Sequence, residues 1–350
     1  IGCALWLAPL MERPIMALAW GVLIAGIAQL LFQLPFLAGL GLLPRPRFAP
    51  RDPGVHRIGR TMLPALFGVS VTQISLLLDT LLASFLVSGS ISWLYYAERL
   101  VEFPLGILGV AVGTVILPRL ARRHGVVKSS VDAREQDWAR TLDWGLRWVL
   151  LLGLPATVGL FALSGPMLAT LFHSGAFGAQ DVLMAERSLM AYALGLMAFM
   201  GIKVLVPGFY SHRDMQTPVR IAAIAMLVNL VLSLVLMFPL GHAGLALATA
   251  IATTVNAWLL LTELIRQRVY RPSAGLGRLS AQVAGASLAM GILLWLVSGP
   301  TLHWTELANG TRALRLGGLI ALGMLVYAAM LLALGLRPRA LIADGERGDD

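Results

Sequence analysis

Long apolar runs recur along the whole chain, and they decide its fold class before any other feature is weighed. A helix crosses the hydrocarbon core of a bilayer with about 20 predominantly apolar residues, at roughly 1.5 Å of rise per residue. Windows that meet this requirement lie near residues 15–40, 61–88, 91–118, 143–165, 187–210, 218–240, 243–263, 277–299 and 313–336. Residues 1–11 read as the tail of a further span. Hydrophobic residues make up 58% of the chain and charged ones 13%, with a mean hydropathy of +0.79. A soluble domain carries about 25% charged residues, so one folded core cannot hide this much apolar surface. The expectation is an all-α polytopic membrane bundle with about nine full transmembrane helices plus an N-terminal partial one. The first residue is Ile inside an apolar segment, which reads as an N-terminally truncated sequence and not as a signal peptide.

The formal net charge of +9 raises nucleic acid as a partner, and the placement of the basic residues excludes it. They fall in alternate loops: Arg45, Arg47, Arg51, Arg57 and Arg60; Arg119, Arg122, Arg123, Lys128, Arg134 and Arg140; Arg213; Arg266, Arg268 and Arg271; Arg337 and Arg339. The intervening loops, residues 89–90, 166–186, 241–242 and 300–311, contain no Lys or Arg. Alternation of this kind is the positive-inside pattern, which puts the basic loops and the C-terminus in the cytoplasm. Arg13, Arg312 and Arg315 sit at the opposite ends and dissent from it. Most of the juxtamembrane arginines are read as holding anionic phospholipid headgroups. A missed or invented helix would scramble the alternation, so it also supports the span count.

Very short connections, Ser88-Gly89-Ser90 and Pro239-Leu240-Gly241-His242, imply antiparallel helical hairpins. Residues 41–60, rich in Pro and Arg, read as a linker between two bundles. Residues 119–141 read as a loop containing a helix on the membrane surface, with Trp138, Trp144 and Trp148 suited to the interface. A single cysteine, Cys3, excludes disulfides and thiolate metal clusters within the chain.

Ionisable groups inside the hydrocarbon layer cost at least ~2.5 kcal/mol each, so they mark function by default. The third span carries Glu98, Arg99 and Glu102 at a depth of roughly 10 to 17 Å from its outer end. Their spacing of three and four puts all three on one helix face. Pro104 follows and favours a kink or break there. One reading is a structural intrahelical ion pair, extended to Asp79 at matching depth across the hairpin. The functional reading is an Arg-centred site for a phosphate group, because the planar fork of a guanidinium suits oxyanions. Lys203 in the fifth span either joins such a site or snorkels to the interface, and Pro207-Gly208 after it is expected to disrupt the helix.

A second constellation comprises Asp79, Asn229, Ser233 and Thr249, whose oxygens suit Na+ or H+ coupling and not a transition metal. Interhelical hydrogen bonding is the alternative role for the hydroxyls. The six histidines lack metal-ligand spacing, and His212-Arg213-Asp214 stands without the glycine-rich loop that kinase chemistry needs. No catalytic residue, resident metal or cofactor is assigned, and the chain is not expected to be an enzyme.

The run Trp93-Leu94-Tyr95-Tyr96-Ala97-Glu98-Arg99-Leu100-Val101-Glu102-Phe103-Pro104-Leu105-Gly106, continued by Gly109-Val110-Ala111-Val112-Gly113-Thr114 and Leu117-Pro118, resembles the signature of the MurJ/MviN lipid II flippase family. Lys203-Val204-Leu205-Val206-Pro207-Gly208-Phe209-Tyr210-Ser211 and Asp143-Trp144-Gly145-Leu146-Arg147 resemble two further family segments. The resemblance covers nearly the whole chain. It implies the fold of the multidrug/oligosaccharidyl-lipid/polysaccharide (MOP) exporter superfamily: two six-helix lobes about a cavity, with two extra C-terminal helices. On that map residues 1–40 end the N-lobe, 41–60 form a cytoplasmic linker and 61–263 a six-helix C-lobe. Residues 264–276 are then a cytoplasmic loop, 277–336 the two extra helices forming a lipid-tail groove, and 337–350 a cytoplasmic tail.

The function implied is transfer of lipid II, an undecaprenyl-pyrophosphate-linked peptidoglycan precursor, from the cytoplasmic to the periplasmic leaflet of the bacterial inner membrane by alternating access. Arg99 matches a cavity arginine of the family, and Glu98, Glu102 and Lys203 match charged cavity positions; Glu98 stands where Asp is common. Asp79, Asn229 and Thr249 align with a sodium site of some members, where Ser233 replaces a carboxylate. Cell-wall synthesis machinery is an implied partner. Two other readings stay open at this point: another MOP exporter, for polysaccharide-linked lipid or small cations, and a membrane glycosyltransferase or acyltransferase acting on lipid carriers.

Overall fold

The computed structural model describes residues 2–11, 14–41, 52–122, 131–211, 214–270 and 275–336. Much of the basic-loop pattern, including Arg45, Arg47, Arg51, Arg123, Lys128, Arg213, Arg271, Arg337 and Arg339, lies outside them. The described residues form helices α1 Gly2–Leu7, α2 Pro14–Gly39, α3 Pro53–Ser84, α4 Ser90–Arg122, α5 Val131–Trp148, α6 Leu154–Ala162 and α7 Ser164–Leu171. They continue as α8 Ala179–Ser211, α9 Gln216–Leu240, α10 His242–Arg266, α11 Leu276–Ser298, α12 Thr301–Glu306 and α13 Asn309–Ala333. No strand occurs among the described residues beyond one isolated bridge between Ser174 and Phe177. Among the described residues, seven segments are long and apolar enough to cross a membrane, in α2, α5–α6, α8, α9, α10, α11 and α13. The other two expected spans correspond to α3 and α4, 32 and 33 residues long. The protein is therefore an all-α, multi-pass membrane bundle.

The chain divides into two compact units, Ile1–Arg60 and Thr61–Asp350. The first contains α1 and α2. In the second, α8 is the central helix, packed against α4, α6, α7 and α10, while α10 also pairs with α9, and α11 lies on α6 and α13. The reason is legible along α8: Val182, Ala185, Leu189, Tyr192, Ala193, Leu196 and Met200 are all buried and recur at helical spacing. Lipid gives helices no hydrophobic reason to associate, so close packing of small residues must hold them. Gly195 supplies it, since a Cβ there would come within 2.8 Å of the Ala250 backbone on α10. Large residues point outward in return, Phe238, Leu314, Trp295 and Leu325 among them, which suits lipid and not water.

Two hairpin connections turn on glycine. Gly241 ends α9 and starts α10 at φ 59°, and Gly89 precedes α4 at φ 104° against the ring of Trp93. The span expected at 143–165 is present as Ala139–Ala162, with a π-helical turn, Val149–Gly153, between α5 and α6, and α7 begins at Ser164. Several expectations are corrected. The helix expected on the membrane surface is α5, which runs directly into that span. The supposed outer loops 166–186 and 300–311 contain α7, the start of α8, and α12. Neither Pro104 nor Pro207 breaks its helix, because each removes only one backbone bond in a helix that packed neighbours hold.

Candidate functional site

Helix α4 carries its polar face at i, i+4 and i+7, as Tyr95, Arg99 and Glu102, all three exposed. The Arg99 guanidinium donates through Nη1 to Glu102 Oε2 at 2.6 Å. Its carbon lies 4.9 Å from the centre of the Tyr95 ring, within cation–π range. The side chains of Arg99 and Glu102 are 49% and 48% exposed, so the pair can open to admit another anion. Glu98, half-buried on the same helix, lies within electrostatic reach of Arg99, Glu102 and Asp79. Lys203 is exposed on α8, and among the described residues no contact joins it to Arg99 or either glutamate.

The second constellation closes around Asn229, buried on α9. Its Nδ2 donates to Asp79 Oδ1 at 2.9 Å, to Asp79 Oδ2 at 3.2 Å and to Ser75 Oγ at 3.3 Å on α3. Thr249 on α10 donates its hydroxyl to Asn229 Oδ1 at 3.3 Å and to the Leu245 carbonyl at 3.1 Å. Asp79, Asn229 and Thr249, singled out in the sequence as one set of oxygens, thus come together. Ser233 does not join them: it is fully buried, and its hydroxyl has no hydrogen-bond partner among the described residues. Spacing of four fixes a shared face, but four residues still move the side chain about 6 Å along the axis. In this arrangement an amide N–H faces the carboxylate, so a cation there requires Asn229 to turn its Oδ1 towards Asp79.

Sequence reasoning missed three neighbours. Ser75 lies one turn before Asp79, and Tyr95 one turn before Arg99; that spacing was the available signal. Tyr192, buried on α8 within electrostatic reach of Glu98 and Asp79, had no signal, because only packing sets α8 between α4 and α10. Arg312, which reads in the sequence as a stray basic residue at an outer end, is 4% exposed. It donates to the carbonyls of Ala169 at 3.1 Å and Thr305 at 2.6 Å and to Nδ1 of His173 at 3.0 Å. At the end of the bundle that carries the basic loops, Tyr270 donates its hydroxyl to Asp143 Oδ1 at 2.9 Å, and Arg147 pairs with Asp143 at 2.9 Å. Burial, with the Asp143 carboxylate beside it, pushes the Tyr270 phenol above its usual range. Gly208 packs at the same end against Leu142 and Leu264, so two of the three signature segments fasten α5, α8 and α10 together.

The arrangement offers a half-exposed cation for an oxyanion and a separate, self-satisfied polar cluster, with no group of metal-binding side chains among the described residues. Residues 1–308 match the family model described as lipid II flippase MurJ. The chain belongs to the MurJ family. It is 48% identical over 345 residues to the probable lipid II flippase MurJ of Vibrio cholerae serotype O1, covering 98% of this chain and 64% of that protein. It is 46% identical over 342 residues to the counterpart in Haemophilus influenzae, covering 98% of this chain and 67% of that one. The solved structure of a lipid II flippase MurJ in an inward closed conformation shares the fold, with a TM-score of 0.70 over 93% of this chain and 63% of that one at 23% identity. The description of the matching family model names a flippase, and neither a glycosyltransferase nor an acyltransferase.

Proposed function

We propose that this MurJ-family chain forms part of a lipid II flippase in the bacterial inner membrane, moving the lipid-linked precursor from the cytoplasmic to the periplasmic leaflet. The observation that carries the reading is the half-exposed Arg99 guanidinium, held between a carboxylate and an aromatic ring on a helix that spans the membrane. A guanidinium so placed costs several kcal/mol unless an anion or water meets it. The pyrophosphate of lipid II is a fitting anion, because it offers the bidentate geometry that Glu102 satisfies only in part. Glu98 and Glu102 keep the local field from becoming strongly positive, so the headgroup binds and still leaves. Lys203 assists from the basic end.

The alternation of basic loops supports a cytoplasmic C-terminus. The outward apolar faces of α11 and α13 support a path for the prenyl tail, and the cluster of Asp79, Asn229 and Thr249 is the place for a coupling Na+ or H+. The chain spans 64% of the Vibrio relative, so the test belongs in the full-length protein. Arg99→Ala is expected to abolish complementation of a flippase-depleted strain and to weaken binding of fluorescent lipid II by at least about tenfold. Normal growth with unchanged binding would remove Arg99 from the mechanism.

A further inference from the structure

Arg312 is a buried cation that, among the described residues, has no carboxylate partner. A buried charge without a counter-charge is costly, so its neutral partners need to be well placed. They are carbonyls at the C-terminal ends of two short helices: Ala169 in the last turn of α7 and Thr305 in the last turn of α12, joined by Nδ1 of His173 just beyond α7. One guanidinium therefore ties the start of α13 to α12 and to the segment after α7. Its planar fork reaches all of them at once, which an ammonium cannot do.

That segment does not end at Arg312. Phe172, the residue before His173, packs its ring on Tyr96 of α4 with centroids 4.7 Å apart. Phe177, at the other end of the turn, meets Tyr96 edge-on at 4.9 Å. Tyr96 touches Tyr95 at 5.7 Å, and Tyr95 lies under the Arg99 guanidinium at 4.9 Å. A second tie holds the same corner, since Trp93 Nε1 donates to Asp181 Oδ1 at 2.8 Å at the start of α8. The contacts run without a gap from the C-terminal helix to the candidate headgroup site.

We infer that Arg312 is a positioning residue for Arg99: through the turn after α7 and the aromatic pair on α4, it makes the orientation of the Arg99 guanidinium depend on where α13 sits. The inference rests on the reading of Arg99 as the headgroup ligand. Its consequence is that a prenyl chain bound along α11 and α13 acts on the anion site without touching it. Arg312, at the far end of the bundle from the basic loops, contacts no substrate and supplies no charge to the site. It holds one end of a rigid aromatic relay whose other end is the Tyr95 ring.

The test is a double-mutant cycle in the full-length protein, read by binding of fluorescent lipid II in nanodiscs. Arg312→Gln is expected to weaken binding about three- to tenfold, and to cause no further loss once Arg99→Ala is present. Tyr96→Leu, which leaves the Arg312 bonds intact, is expected to reproduce the loss, and Arg312→Lys to restore little of it. Equal losses from Arg312→Gln with and without Arg99 would overturn the inference and leave Arg312 as a structural anchor. A second measurement separates failure of the relay from failure of the headgroup reading. With Cys3 and every other native cysteine of the full-length protein replaced by Ser and a fluorine label at Phe103→Cys, one turn beyond Arg99, the substrate-free resonance is expected to shift on Arg312→Gln. An unmoved resonance overturns the relay, whatever Arg99 does to lipid II.

Discussion

Replacing Glu102 by Gln separates two roles that the ion pair with Arg99 could play. The pair is short, at 2.6 Å, yet both side chains are about half exposed, 49% and 48%. Solvent screening holds an exposed pair of this kind to about 0.2–1 kcal/mol, which is a factor of about 1.4 to 5 in an equilibrium constant. A diphosphate that takes over the guanidinium must displace Glu102 and then sit beside its carboxylate. Glu102→Gln removes the competitor and keeps the shape, so lipid II binding is expected to tighten by about two- to fivefold. Turnover is expected to slow, because a headgroup held more tightly leaves later. Protein stability changes little, since the pair it loses is a weak one. The assay is fluorescent lipid II titrated into full-length protein in nanodiscs at low and high salt, with the gain shrinking as salt rises. Weakening of the binding by Glu102→Gln, to the degree caused by Arg99→Ala, would refute the reasoning. Glu102 would then be the residue that orients Arg99 and not its competitor.

Three further outcomes follow from the packing and the polar contacts. Gly195→Ala places a Cβ 2.8 Å from the Ala250 Cα and 2.9 Å from its Cβ, so thermal unfolding should report a loss of about 1–3 kcal/mol, and Ala250→Gly should rescue only part of it. Asn229→Ala strips Asp79 of the amide that meets both its oxygens and is expected to destabilise the protein by about 1–3 kcal/mol, whereas Ser233→Ala, which removes a hydroxyl with no partner among the described residues, is expected to be neutral or stabilising in the same melts. Asp214, outside the membrane, is pushed up by slight burial, but the amides and hydroxyl of the first turn of α9 outweigh this and hold it below the usual carboxylate range. Its folded pKa is depressed, so its contribution is present at neutral pH and fades as pH falls through and below about 4. The stability gap between Asp214→Ala and the parent protein should close over that range.

The sequence by itself determined the fold class and the location of the charges. Spans need about 20 apolar residues whatever their neighbours do, and a lone Glu-Arg-Leu-Val-Glu run inside one of them is visible without coordinates. Spacing alone put Arg99 and Glu102 on one face, as the 2.6 Å contact bears out. Asp79, Asn229 and Thr249, grouped in the sequence by their oxygens, lie within reach of one another. Tertiary structure decided which helix faces which. Ser233 obeys the same spacing rule as its neighbours and is left aside, and Tyr192, whose spacing places it only in the buried stripe of α8, lies within electrostatic reach of Glu98 and Asp79. Arg312 makes the point most plainly: two of its partners, His173 and Ala169, are 139 and 143 residues away, and three of its acceptors are backbone carbonyls, which no side-chain pattern encodes. Periodicity is a property of one helix, and a line of sequence records it; the meeting of separate helix ends depends on the packing of them all.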